Sequence, residues 1–113
     1  MTERRRHVLW SDAASHDLTD LITYIAADSP QNARAVLAKL RRKAESLQVT
    51  PARGRIVPEL AHFGIRTWRE LVVRPYRIMY RVAADTVYVL GVFDGRRDLR
   101  DVLLERLLRE KLR

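Results

Sequence analysis

The chain has 113 residues and carries 22 Lys and Arg against 14 Asp and Glu, a formal net charge of +8 at pH 7. That length suits a single domain, residues 1–113, with a core large enough to need no covalent staples. The absence of cysteine excludes disulfides and thiolate chemistry. The basic start Arg4-Arg5-Arg6 precedes an apolar run of only Val8–Trp10, too short for a signal peptide, and the longest apolar stretch, Val87–Phe93, is too short to span a bilayer. A soluble, cytoplasmic protein with no membrane partner is expected. Arginine supplies most of the charge, since lysine occurs only at Lys39, Lys43 and Lys111. Such a balance favours an acidic partner: nucleic acid, an acidic protein, or a protein already holding DNA.

In chain order, Arg5–Trp10 alternates weakly and predicts a first strand. Ser11 is placed to N-cap a helix. Ala14, Leu18, Leu21, Ile22 and Ile25 follow at the spacing of one helical face, as far as Asp28. Ser29-Pro30 restarts the chain, with serine as cap and proline in the first helical position. Ala33, Val36, Leu37, Leu40, Ala44 and Leu47 form the second apolar stripe, which Thr50-Pro51 closes. So short a connection makes the two helices an antiparallel hairpin.

Pro51–Gly64 reads as an irregular loop. Three strand-like runs follow, Thr67–Val73, Tyr76–Val82 and Thr86–Phe93, with short connections that predict an antiparallel meander. On the middle strand Ile78, Tyr80 and Val82 alternate with Arg77, Met79 and Arg81, which predicts one core face and one face carrying arginine. Gly95 permits a tight exit from the last strand, and Asp98 is placed to cap a final helix. In that helix Leu99, Val102, Leu103 and Leu107 fit one face, while Leu104, Leu108 and Leu112 widen the apolar arc beyond what one domain's core requires. Leu104, Leu108 and Leu112 are therefore candidates for binding a partner peptide or for self-association. The fold class is α+β: a strand, a helical hairpin, a three-stranded meander and a C-terminal helix.

The segments ARAVLAKLRRKAESL, TPARGRIVPEL, WREL, YRIMYRV and VYVLGVFDGRRDL, in this order, resemble the RelE/ParE superfamily of bacterial toxins. The resemblance implies a small basic toxin encoded beside an acidic antitoxin, acting alone or as a homo-oligomer or toxin–antitoxin hetero-oligomer. It also implies one of two mechanisms. RelE-like members cleave mRNA on the ribosome, and ParE-like members poison DNA gyrase without nuclease residues. By this resemblance Arg77 and Arg97 match arginines that RelE-like nucleases direct at the scissile phosphate, and Arg69 falls near another basic position.

Cleavage of RNA through its own 2′-hydroxyl needs a base, an acid and cations. The cations are present, but the residues following Arg97, Asp98 to Leu104, include neither Tyr nor His, and Asp94 stands where many relatives carry His. His62 and Glu70 are the groups left to act as base in a nuclease. His7 and His16 have no partners at metal-ligand spacing, so neither metal nor cofactor is expected. GRRDLRDVLLERL resembles the ParE arrangement, so a gyrase-directed toxin is the favoured reading and a ribosome-dependent ribonuclease the alternative. A plain nucleic-acid-binding module has no supporting motif. Arg53, Arg55, Arg69, Arg74, Arg77, Arg96 and Arg97 are the candidate contact surface, with either Arg96 or Arg97 expected to be locked in its turn by Asp94 or Asp98.

Overall fold

Two serines set the first half of the chain. The computed structural model describes residues 5–111. In it the Ser11 hydroxyl accepts from the Ala14 amide at 3.0 Å and opens α1, Asp12–Asp28. Ser29 ends that helix by donating its amide to the Ile25 carbonyl at 2.9 Å. It opens α2, Pro30–Glu45, by accepting from the Asn32 amide at 3.1 Å. A single residue thus serves as the stop of one helix and the cap of the next, and the hairpin follows. A 3₁₀ turn, Ser46–Gln48, extends α2 and buries Leu47.

The strands are β1 (His7–Trp10), β2 (Arg55–Ile56), β3 (Arg69–Val73), β4 (Tyr76–Ala83) and β5 (Thr86–Asp94), in one sheet of order β1-β5-β4-β3-β2. β1 runs parallel to β5, and every other pair is antiparallel. The expected meander β3-β4-β5 forms the centre. The segment expected to be irregular is instead ordered as a 3₁₀ turn (Pro51–Arg53), the edge strand β2 and a short helix, α3 (Pro58–Ala61). Elements of two to four residues are too short to display a period, and β2 is specified by pairing with Glu70 and Arg69 across the sheet. β1 and β3 each start two residues later than expected, at His7 and Arg69. Between Met79 and Tyr80 the β4–β5 register slips, leaving Leu90 as the extra residue of a bulge.

The helical hairpin covers one face of the sheet, where Leu18, Leu40 and Leu47 meet Leu71, Ile78, Val87 and Val89. The other face was expected to be arginine-bearing surface, and it is a second core. Met79, Leu90, Phe93 and Trp68 are buried there beneath Val57 and Leu60 of the α3 segment and Leu99, Leu103 and Leu107 of α4 (Arg100–Lys111). Each leucine so buried contributes about 1.5–3 kcal/mol relative to exposure. Alternation on β4 misleads because Arg77, at 9% exposure, is buried along with its apolar neighbours.

α4 begins at Arg100, so Asp98 precedes the cap position. Its carboxylate accepts from the Arg100 amide at 3.2 Å, and the Leu99 carbonyl accepts the Leu103 amide at 2.8 Å. Much of the wide apolar arc is used within the domain. Leu104 is half-buried against the second core, and Leu108 is 62% exposed. Leu112 lies outside the described residues. Arg106 fastens the helix by donating to both Asp17 oxygens (2.9 and 3.1 Å) and to the Leu90 carbonyl at 2.9 Å, where the bulge turns that carbonyl toward it.

Candidate functional site

The register brings four arginines to one end of the sheet. Arg77, the second residue of β4, lies opposite Val72 of β3 and Phe93 of β5; Glu70 lies on the same face of β3, two residues before Val72. Arg77 Nε donates to Glu70 Oε1 at 2.7 Å, and its two outer nitrogens donate to the two oxygens of Glu59, both at 2.6 Å. Arg55, paired with Glu70 across β2 and β3, donates to Glu70 Oε2 at 2.7 Å. Glu70 is 2% exposed, and the guanidiniums of Arg55 and Arg77 both lie against its carboxyl group. The Arg77 hydrogen bonds hold the Glu59 carboxyl below its ordinary range, and the same bonds raise Arg77 further above its own.

The turn after β5 is organised around Asp94. Its carboxylate accepts from the Arg96 amide at 3.0 Å and from Arg96 Nε and Nη2 at 3.0 and 2.8 Å, which lowers it to about 2. Arg96 is therefore the arginine held in the turn. Arg97 is exposed, and its side chain has no hydrogen bond or ion pair among the described residues. Gly95 is required by a close approach. Its amide donates to the Pro75 carbonyl at 2.7 Å, and a Cβ there would lie 2.9 Å from that oxygen and 3.0 Å from Arg77 Cδ.

Arg55, Val72, Arg74, Pro75, Arg77, Gly95 and Arg96 line a groove of about 310 Å³. Three of its four arginines are engaged by Glu59, Glu70 or Asp94, so the site is far less cationic than its arginine content suggests. Arg74 is the fourth, exposed and without a side-chain partner among the described residues. Arg69 lies deeper and donates to the Gly54 carbonyl at 2.8 Å. This bond cooperates with Tyr80, whose buried hydroxyl donates to the Pro51 carbonyl (2.7 Å) and accepts the Gly54 amide (2.9 Å). Gly54 touches Tyr80 and the Glu70 backbone so closely that a Cβ would meet the Glu70 carbonyl at 2.5 Å.

Other candidates stand apart. Arg53 is exposed beside a shallow hollow lined by Val49, Thr50, Pro51 and Ala52. His62 stacks edge-on with Phe63 and lines a separate hollow of about 350 Å³ with Pro58, Glu59, Asp98 and Arg100. No group of three His, Asp or Glu side chains able to hold a metal occurs among the described residues. Among those residues no helix is long and apolar enough to cross a membrane. Glu59 is the site residue that sequence reasoning missed. Its one signal is Pro58-Glu59, a proline followed by an acid at the start of a helix too short to show an apolar stripe.

The family model for the ParE toxin of type II toxin-antitoxin systems, parDE, matches residues 8–99. Toxin RelE2 of Caulobacter vibrioides is 37% identical over 86 residues, covering 75% of this chain and 90% of its own. Putative toxin Y4kP of Sinorhizobium fredii is 32% identical over 101 residues, covering 88% and 98%. Two solved structures share the fold. The chromosomal ParDE system of P. aeruginosa superposes with a TM-score of 0.65 at 19% identity, over 80% of this chain and 97% of that one. The RelBE2 toxin-antitoxin complex of Mycobacterium tuberculosis gives 0.60 at 23% identity, over 82% and 94%.

Proposed function

The chain belongs to the ParE toxin family of type II toxin-antitoxin systems, and from that premise we infer that it arrests growth by trapping DNA gyrase on cleaved DNA and is neutralised by an acidic antitoxin. The observation that carries this reading over a ribonuclease is the state of Arg77. In a nuclease this arginine would face the scissile phosphate, yet both its outer nitrogens are bound to Glu59 and its Nε to Glu70. Both oxygens of Glu70 are already engaged, one by Arg55 and one by Arg77, so neither is directed at a substrate. His62 lines a different hollow from Arg77, one it shares with Glu59. Cations, base and acid are thus not assembled around one point, as general acid–base cleavage requires.

The toxin under this reading is an inhibitor that binds protein beside a DNA backbone. Arg53, Arg74 and Arg97 are the side chains available for direct contact, with Arg55 and Arg96 at the rim of the groove. Their planar forks suit carboxylate and phosphate alike. An acidic antitoxin segment that orders on binding would cover these arginines and lay apolar side chains on Leu108 and the adjoining half-buried Leu104. Both solved neighbours come from toxin–antitoxin systems, which supports such a partner. A gyrase target places the protein in the cytoplasm.

The alternative, a ribosome-dependent ribonuclease, is favoured by the RelE name of the relative that is 37% identical. Purified protein added to gyrase with ATP and plasmid separates the two. Loss of supercoiling with accumulation of linear DNA is expected. Untouched gyrase together with cleavage of ribosome-bound mRNA would establish the alternative.

A further inference from the structure

The net charge of +8 is not concentrated in the arginine groove. The ion pairs among the described residues engage Arg55, Arg77, Arg96, Arg106 and Arg109, and none of them involves α2. Along α2, Arg34, Lys39, Arg41, Arg42 and Lys43 stand against a single carboxylate, Glu45. Its hairpin partner α1 carries Asp12, Asp17, Asp20 and Asp28 and neither lysine nor arginine. The hairpin is thus split into an acidic helix and a basic one. α2 turns Ala33, Leu40 and Ala44 into the core. At about 100° per residue, its five cations fall on the remaining outward arc of roughly 200°. Lys43 is half-buried and the other four are exposed. Ala35 and Ala38, both exposed, lie among them, so no bulky side chain keeps a surface away from the cations. Helix stability does not account for this pattern. Arg42 and Lys43 suit the negative end of the helix dipole, but Arg34 sits near the positive end. Lys39 stands one turn from both Arg42 and Lys43, a spacing at which like charges repel. An anion laid along the face relieves that repulsion.

We propose that the outer face of α2 is a docking surface for the backbone of duplex DNA, engaged without regard to base sequence. Arg34 to Lys43 spans about 13.5 Å of helix at 1.5 Å per residue. Phosphates recur along each strand about every 3.4 Å of duplex axis, so a straight row of cations meets a straight row of anions. An acidic peptide is the poorer fit. A disordered segment that orders on binding needs apolar surface to offset its lost entropy, and this face offers only Ala35 and Ala38 between its charges. The surface lies on the helical hairpin, apart from the groove at the strand ends, so DNA and a protein partner need not compete for one set of arginines. The proposal concerns this chain alone and does not depend on which enzyme the toxin attacks.

The test follows the fluorescence anisotropy of a labelled duplex of about 20 base pairs, between about 50 and 200 mM salt. Wild type should bind, with log affinity falling linearly against log salt. Arg34→Gln/Lys39→Gln/Arg42→Gln installs good helix formers, and circular dichroism and melting temperature check that it folds. It should bind about tenfold or more weakly at low salt, with a slope shallower by about 2–3, since each lost phosphate contact removes about 0.9. Arg66→Gln/Arg100→Gln/Arg109→Gln removes the same charge from exposed positions elsewhere and should change the slope by less than about 1. If the α2 triple variant is too unstable to titrate, Arg34→Gln and Lys39→Gln alone carry the same expectation, at about one slope unit each. Poly-glutamate is titrated alongside as the acidic-peptide alternative. Wild type that leaves the duplex unbound, α2 variants that behave like the matched control, or tighter binding to poly-glutamate than to duplex would each overturn the proposal. None of these outcomes touches the gyrase reading, because no gyrase is present.

Discussion

The two faces of the sheet are stabilised by different physics. On the hairpin face the core is almost wholly aliphatic, supplied by helices that present Leu18, Leu40 and Leu47 to the β-branched residues of β4 and β5. Opposite, the apolar cluster under α4 shares its floor with a charged network in which Glu70 and Arg77 are buried along with Met79. The first face is non-directional and tolerant of pH and salt. The second depends on a few hydrogen-bonded charges whose geometry must be kept. That difference places the candidate site: the charged face is where strand ends, two turns and α3 converge, and where the exposed arginines emerge.

Breaking the charged network should have the largest effect. Glu70→Ala leaves Arg77 buried without its inner partner and frees Arg55, and a loss of about 3–5 kcal/mol is expected from urea denaturation. Its counterpart on the other face, Leu40→Ala, should lose about 2–5 kcal/mol by removing buried volume. The two should differ in character, with the Leu40→Ala deficit insensitive to pH. Next in size, Tyr80→Phe strands the Gly54 amide and the Pro51 carbonyl, for a loss of about 1–3 kcal/mol.

A pH series sharpens the contrast further. Because Arg77 holds the Glu59 carboxyl below its ordinary value of 4.5, this group's contribution is fully present above that value and disappears as pH falls through the lowered one. Wild type should therefore lose more stability than Glu59→Gln between about pH 6 and pH 3, and parallel curves would show that the pair is energetically idle. The smallest effect is expected at the exposed turn, where Asp94→Asn should leave the melting temperature essentially unchanged while loosening Arg96.

The hairpin face was legible in the sequence because its signals are long and local. Two serine caps, a proline in the first helical position and stripes spanning four turns are read without knowing the partner. The charged face was legible only in part. Glu70 and Arg77 are seven residues apart and meet only across a strand pair, while Glu59 reaches Arg77 from a helix of four residues. Alternation along β4 marked Arg77 as outward-facing, and pairing with two carboxylates reversed that. The turn after β5 was read as a lock on one arginine, and the short two-residue span from Asp94 decides for Arg96. The C-terminal helix showed more apolar surface than one stripe needs, but the second core that absorbs Leu103 and Leu107 and half of Leu104 had no signature of its own.

Charge reversal at Arg77 would set a third carboxylate against Glu59 and Glu70 and would confound contact with folding, so the decisive variant reverses Arg74 and Arg97, both exposed. The measurement compares wild type with Arg74→Glu/Arg97→Glu for plasmid linearisation by gyrase in the presence of ATP, with melting temperatures recorded alongside. Linear DNA with wild type, and its loss in a double variant that melts like wild type, is the result predicted. A double variant that still linearises plasmid as wild type does, or a wild-type protein that leaves gyrase untouched, would contradict the account.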